Sequence, residues 1–421
     1  MDANLRVAHV SNYNPKSANG VDKTVAGLVS WLPRCGVQVE VWHLTMASTR
    51  IRERDVGGVH VIDLPAYGRP WNFLRGLRPT AREFVREQQR AVDLVHLHSV
   101  FIADHVWLAG RLHTPYLLTP NGGYSLSVLQ GRHRWSKAAW LCLREERYIR
   151  RAALLHAVSP LEGEALMKRF PGVRVVYLPN AVDPPKLLDE GGDAVSALGK
   201  HLLFLGRLAV EHKGLDHLLR GYARFLEQTG DLETHLTLAG PDFRRGKDAL
   251  EKLYRRLGIA ERVSILQPVY DEAKWTLLRR AYIFVHPSRW EGMPFAVLEA
   301  LAVGCPVLIT PETNLGETVQ TYDAGVVVPG TPQDIAQGLQ SLLCMPWERY
   351  AATRQRARQL VDDHFSWPRV AGRIAHVYHE ITGRMSVCQT SEPSQASTVR
   401  NDACDKFARA KGTPGRSFLW P

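Results

Sequence analysis

The segment Pro287-Ser288-Arg289-Trp290-Glu291-Gly292-Met293-Pro294-Phe295-Ala296-Val297-Leu298-Glu299-Ala300, followed by Leu301-Ala302-Val303-Gly304-Cys305-Pro306-Val307, holds two carboxylates in an E-x7-E spacing. It reads as strand, loop, helix, turn, strand. Pro294 suits the first helical position and Gly304 the helix stop. Gly292 lets backbone approach a ligand closely. Amides near Met293, Pro294, Phe295 and Ala296 then sit at a helix N-terminus, where phosphate is favoured. Glu291 falls in the loop and Glu299 inside the helix, so the two carboxylates are placed to accept hydrogen bonds from different hydroxyls of one extended ligand. The plainer alternative is that Glu291 caps the helix and Glu299 lies on a solvated face.

A second constellation precedes it. Leu205-Gly206-Arg207-Leu208 follows an apolar run, and Lys213-Gly214 opens an apolar-periodic helix. Arg and Lys in such a loop can neutralise a pyrophosphate. Together with a helix dipole they would stabilise charge on a departing diphosphate, without a metal motif. Alone, the two cations are more often a solvated pair; the weight lies in both segments occurring together and in order.

The first part of the chain offers weaker candidates. Asn19-Gly20-Val21 follows an early apolar run, where a glycine serves either a ligand loop or an ordinary turn. Two imidazoles, His96 and His98, end the run Val95-His96-Leu97-His98, either at a binding surface or as satisfied structural residues. The stretch Leu118-Thr119-Pro120-Asn121-Gly122-Gly123-Tyr124 puts Asn121, which cannot act as a base at neutral pH, after another such run.

These residues need elements to hold them. Short β-branched runs at 7–10, 37–41, 59–64, 94–97, 116–119 and 154–158 alternate with helix-like stretches. After a polar, glycine-containing stretch at 189–193, the rhythm restarts with runs at 201–205, 235–239, 263–266, 283–286, 306–309 and 326–328. Residues 347–361 and 369–381 read as helices, whereas 386–421 is rich in Ser, Thr, Gly, Pro and isolated charges and is expected to be disordered. The pattern predicts an α/β chain of two parallel, helix-covered sheets, with chemistry in a cleft at the carboxyl ends of their strands.

The two ordered loops resemble glycosyltransferase family 4, the group 1 retaining glycosyltransferases of the GT-B fold, over roughly residues 5 to 382. The resemblance implies two Rossmann-like domains facing each other: an acceptor-binding domain over 1–180 and a nucleotide-sugar-binding domain over 181–366. A helix over 367–384 packs back toward the first, and a flexible tail covers 385–421. It implies that Glu291 contacts the donor sugar, Glu299 the ribose, and Arg207 and Lys213 the diphosphate. Amides of Gly292 to Phe295 orient the donor, and Gly20 approaches from the first domain. His98 and Asn121 fall on the acceptor side. This chain departs from the family pattern in Asn19, where Gly is commoner, in Asn121, where relatives carry His or Arg, and in Gln267, where Gly is common. A front-side retaining reaction tolerates Asn121, because the leaving phosphate can take the acceptor's proton.

The expected reaction is hexosyl transfer from a UDP- or GDP-sugar to a hydroxyl acceptor, a saccharide or lipid-linked saccharide of cell-surface polysaccharide synthesis. The alternatives are a nucleotide-sugar epimerase on the same scaffold and a noncatalytic nucleotide-sugar-binding relative. A phosphorylase-like enzyme is disfavoured, for that scaffold is longer and no cofactor lysine pocket is evident. No cofactor beyond the donor, and no metal, is expected.

Composition narrows the partners. The 421 residues are 45% apolar and 23% charged, as in ordinary soluble enzymes. The six cysteines lie far apart without a C-x-x-C pair, which argues for a reducing cytoplasm. No secretory signal is expected, since a strand-like run begins at Leu5 without a basic leader. A formal charge of +11 suits phosphorylated ligands or anionic headgroups, and nucleic acid is disfavoured for want of any recognition motif. Residues 69–86, with Trp71 and Phe73, and 132–151, with Trp135, Trp140 and Tyr148, are basic and aromatic. They would touch the anionic inner face of a membrane or form solvated helical faces.

Overall fold

The computed structural model describes residues 5–14, 19–68, 76–124, 134–184 and 199–384. The 189–193 stretch, Trp71, Phe73, Cys388, Cys404 and the 385–421 tail lie outside the described residues. Among the described residues fourteen strands form two sheets. The first contains β1 (Leu5–Val10), β2 (Val37–Thr45), β3 (Arg52–Asp55), β4 (His60–Pro65), β5 (Leu94–His98), β6 (Tyr116–Thr119), β7 (Leu154–Ala157) and β8 (Val175–Tyr177) in the order β3-β4-β2-β1-β5-β6-β7-β8. All its pairings are parallel except β3 with β4. The second contains β9 (His201–Leu205), β10 (His235–Ala239), β11 (Val263–Leu266), β12 (Ile283–His286), β13 (Val307–Ile309) and β14 (Gly325–Val327), all parallel, in the order β11-β10-β9-β12-β13-β14. This is the doubly wound α/β architecture, twice.

The central strands are nearly continuous apolar runs because helices cover both faces of each sheet. β6 and β12 are buried at every residue. In each sheet the strand order reverses once, between β1 and β5 and between β9 and β12. Loops leaving the carboxyl ends of those strands diverge, and the crevice between them is the natural ligand site of such a sheet. The loops after β9 and β12 carry Arg207, Lys213 and Glu291.

Two strands escaped the hydrophobic pattern. β3, with the sequence Arg-Glu-Arg-Asp, is an antiparallel edge ribbon held by polar contacts. Arg54 Nε donates to Asp63 Oδ2 at 3.0 Å and Arg54 Nη2 to Asp63 Oδ1 at 3.1 Å. β8 is a three-residue edge strand, too short to show a period. The late helices run slightly longer than expected, as Trp347–His364 and Trp367–Thr382.

The chain passes between the halves twice, side by side: Val182 N–H donates to Phe365 C=O at 2.8 Å. The helix Trp367–Thr382 then lies on the first sheet, its Trp367, Val370, Ile374 and Tyr378 sharing one core with Leu5, Leu28, Leu94 and Leu154. That seam depends on close approach. A Cβ added to Gly27, in the helix Gly20–Trp31, would lie 1.7 Å from the Trp367 indole. Gly27→Ala should therefore overpack the seam and cost about 1–3 kcal/mol, read as a lowered midpoint in urea unfolding. An unchanged midpoint would show that the two helices are not packed as described.

Candidate active site

A cleft of about 780 Å³ lies between the halves. The second half lines it with Arg207, Lys213, Lys274, Glu291, Met293, Pro294, Phe295, Ala296 and Glu299, and the first half with Asn19, Gly20, Lys23 and Gly27. Trp367 reaches it from the C-terminal helix.

Gly214, at φ +64°, is the N-cap of the helix Leu215–Thr229, and a Cβ there would sit 2.0 Å from the Pro287 carbonyl oxygen. Only glycine lets the loop after β9 press against the loop after β12 in this way. The contact sets Lys213 beside Glu291, and the two side chains are ion-paired and largely buried. Ser288 Oγ–H donates to Glu291 Oε1 at 2.8 Å, and His286 Nε2 lies 3.1 Å from the same oxygen. The carboxylate only accepts, so His286 carries its proton on Nε2. Burial works to raise the Glu291 pKa, but Lys213 and then His286 outweigh it and hold the carboxyl well below its usual range. Asn314 Nδ2 steadies the loop by donating to the carbonyls of Glu291 at 2.7 Å and Gly292 at 2.8 Å.

Pro294 is the N-cap rather than the first residue of the following helix, Phe295–Ala302. Its extended ψ of 115° places it just outside the helical turn. It gives no side-chain cap, so the first-turn amides present their dipole to the cleft. Gly304, at φ +74°, sits just past the helix end. Gly292 does not line the cleft: a Cβ added to it would meet Asn121 and Gly122 backbone at 3.7 Å, so its smallness serves contact between the halves rather than with a ligand.

Glu299 is buried on the cleft face of its helix, not solvated. Lys23 of the first half donates to Glu299 Oε1 at 2.8 Å, and Lys274 donates to the same atom at 3.0 Å. Nearby, Asn180 joins the halves: it accepts from Thr24 Oγ at 3.0 Å and donates to Met293 C=O at 3.3 Å. Arg207 is exposed at the cleft edge, its guanidinium 5.3 Å from the Phe243 ring centre. Gly20 starts the helix Gly20–Trp31 against Phe295, with Asn19 as N-cap accepting from Val21 N–H at 3.2 Å. The Asn19 departure is thus a helix cap.

Asn121 occupies a left-handed turn at φ +53°, donates to Thr119 C=O at 3.2 Å and touches Gly292. His98 does not reach the cleft. It is buried with His9 and His96. Nitrogens of His9 and His98 lie 3.0 Å apart, and His96 bonds the Tyr378 and Thr119 hydroxyls at 2.6 Å each. β1 pairs with β5 so that His9 stands opposite His96, which is why three imidazoles meet. Burial holds all three neutral, with neighbouring imidazoles adding to it at His96 and His98. Their ring nitrogens lie within 4.8 Å of one another, a grouping that single-strand patterns cannot show.

Of the further residues that the structure brings to the site, Lys23, Lys274, His286, Ser288 and Asn180 are not picked out by sequence pattern as partners of the two carboxylates or of the seam between the halves. Lys23 and Lys274 are single polar residues on ordinary amphipathic helices. His286 and Ser288 were the nearest to legible, since they flank Glu291.

Residues 19–181 match the family model for a glycosyl transferase 4-like domain, and residues 198–360 the model for glycosyl transferases group 1. The chain is 24% identical to the GDP-mannose:cellobiosyl-diphosphopolyprenol alpha-mannosyltransferase of Xanthomonas oryzae pv. oryzae (strain PXO99A), over 70% of this chain and 76% of that one. It is 26% identical to the D-inositol 3-phosphate glycosyltransferase of Rhodococcus opacus (strain B4), over 94% and 93% respectively. The structure resembles sucrose-phosphate synthase from Thermosynechococcus elongatus, with a TM-score of 0.72, 21% identity and coverage of 90% and 99%. It also resembles Anabaena HepE in complex with UDP and glucose, with a TM-score of 0.68, 16% identity and coverage of 89% and 100%. At these identities the structural likeness is one of fold, and the fold is GT-B.

The buried Glu291 predicts a pH signature. Its folded pKa lies below the ordinary value of 4.5, so its contribution to stability is fully present above that value and is lost as pH falls toward the depressed one. Glu291→Gln should cost about 3 kcal/mol at neutral pH by leaving Lys213 without its counter-charge. It should also flatten the acid limb of the stability profile. Equal slopes in wild type and variant below pH 4.5, measured by urea unfolding, would contradict the pairing.

Proposed function

The chain belongs to the group 1 glycosyl transferases, and within that family we propose that it moves a hexosyl group from a UDP- or GDP-sugar to a hydroxyl acceptor with retention of anomeric configuration. The observation that carries this reading is convergence. Arg207, Lys213 and the uncapped start of Phe295–Ala302 meet in one cleft with two carboxylates, Glu291 and Glu299.

The diphosphate lies against the helix start, with Arg207 and Lys213 supplying charge to the leaving group. Glu291 and Glu299 each hold their lysines through Oε1, and the other oxygen would accept from the donor: a sugar hydroxyl at Glu291 and the ribose at Glu299. Gly20 closes the cleft from the first half, beside Phe295. The acceptor oxygen attacks the anomeric carbon on the face that the diphosphate leaves. As the bond from that carbon to the phosphate oxygen breaks, the same oxygen takes the acceptor's proton. Asn121, held in its turn, is not asked to be a base. Two cations and a helix dipole supply the electrostatic stabilisation without a metal.

A saccharide or lipid-linked saccharide acceptor of cell-surface polysaccharide synthesis is supported by the acceptor in the Xanthomonas relative's name. Peripheral contact with an anionic membrane, at the inner face of a cytoplasmic enzyme, is supported by Trp135 and Leu143. They are 76% and 78% exposed beside Lys137, Arg144 and Arg147. Among the described residues no helix is long and apolar enough to cross a membrane.

Retention is tested by the anomeric coupling constant of the product, read by proton NMR on glycoside formed from an α-linked UDP- or GDP-hexose. An α-product is expected. A β-product would overturn the front-side mechanism, and donor epimer formed without any acceptor would favour the epimerase.

A further inference from the structure

Glu299 holds two lysines on one oxygen, and only one of the two belongs to its own half. Lys274, on the helix Asp271–Arg280, donates to Glu299 Oε1 at 3.0 Å. Lys23 donates to the same atom at 2.8 Å, across the cleft from the helix Gly20–Trp31. Burial lowers the Lys274 pKa, Glu299 works to raise it, and the charge of Lys23 adds to the lowering. Two ammonium groups on one oxygen repel each other at short range, so each is held less firmly than it would be alone. Lys274 is the deeper of the pair, with its side chain 18% exposed against 27% for Lys23, which leaves Lys23 the freer to move.

The surroundings of Lys23 show where it can go. Gly20 packs on Phe295, where an added Cβ would lie 3.5 Å from the ring, and Lys23 meets Glu299. Gly20 and Lys23 are three residues apart on one helix face, and Phe295 and Glu299 are four apart on the other. The two helices therefore lie side by side in the same direction, and both begin at the same end of the cleft. Lys23 Nζ already sits 5.6 Å from the centre of the Phe295 ring, on the first residue of a helix that has no side-chain cap. Glu299 lies about 6 Å of helix rise beyond that start, a span that the flexible four-carbon stem of lysine covers. A phosphate at the helix start is thus within reach of the ammonium group once Glu299 releases it.

We propose that Lys23 is a third cation for the donor diphosphate, carried by the first half and parked on Glu299 until the ribose takes that carboxylate. This rests on the nucleotide-sugar reading of the cleft. Donor binding then exchanges one set of partners for another. A ribose hydroxyl donates to Glu299, Lys274 keeps the carboxylate paired, and Lys23 turns to a phosphate oxygen. The exchange joins the first half to the leaving group, and the cation arrives only when ribose and diphosphate are both in place.

Lys23→Met and Lys23→Arg test this on the full chain, with UDP and GDP followed by titration calorimetry and uridine and guanosine by ligand-observed proton NMR. Lys274 stays on Glu299 in both variants, so neither leaves a buried charge unpaired. Lys23→Met should lose about tenfold in affinity for the diphosphate that wild type binds, because a charge-assisted contact is gone. The matching nucleoside should bind about threefold tighter, because its ribose no longer competes with Lys23 for Glu299. Lys23→Arg keeps the charge and should hold the diphosphate within about threefold of wild type. Opposite effects on nucleoside and diphosphate are a result that a loosened or misfolded variant does not give. A Met variant that binds the diphosphate as wild type does, or that weakens both ligands alike, overturns the proposal. So does an Arg variant that falls as far as the Met variant. Wild type that binds neither diphosphate overturns the nucleotide-sugar reading itself, and this proposal with it.

Discussion

A carboxylate taken out of water must be paired, and the pairing of Glu291 organises the second half of this protein. Its partners come from the ends of two strands that adjoin where the sheet order reverses: Lys213 from beyond β9, and His286 and Ser288 from β12 and its loop. An unpaired buried charge costs several kcal/mol, so the two loops hold one relation to each other. That relation leaves the start of the helix Phe295–Ala302 without a side-chain cap in a cleft that Arg207 and Lys213 also line. The phosphate-binding role proposed for this surface would thus follow from the need to satisfy one acid.

Among its described residues the first half meets the second across the cleft through a lysine, a turn and an asparagine. Lys23 reaches Glu299, the Asn121–Gly122 turn lies against Gly292, and Asn180 bonds to both sides close to the double crossing of the chain. Among the described residues the side-chain links across the cleft are ion pairs and hydrogen bonds, whereas the seam under Trp367–Thr382 is apolar. If Glu299 holds the ribose as proposed, a ribose hydroxyl would compete with Lys23 for the carboxylate, which would couple donor entry to the relation of the halves.

The two-sheet architecture was legible because parallel strands buried on both faces are written as unbroken apolar runs, and twelve such runs marked twelve of the fourteen strands. β3 was not legible: its charges pay no heed to a core, and a ribbon with its partner fixes it. Glu291, Glu299, Arg207 and Lys213 were legible through order and spacing near Gly and Pro, which constrain backbone locally. Lys23 and Lys274 were not, since a lysine on a helix looks the same whether it meets water or a carboxylate from far along the chain. The position of His98 at a strand end left a binding surface and a satisfied structural role both open, and register against β1 with the arrival of Tyr378 beside His96 buries it.

On the proposed function, the cleft holds a nucleoside diphosphate through charges of the second half. Titration calorimetry with UDP and GDP, against uridine and guanosine, tests it directly on wild type and on Arg207→Ala, an exposed position whose loss spares the fold. One diphosphate should bind, its nucleoside should bind far more weakly, and the variant should lose about tenfold in affinity for the diphosphate. Equal affinity for nucleoside and diphosphate, or a variant that binds as wild type does, would contradict the account.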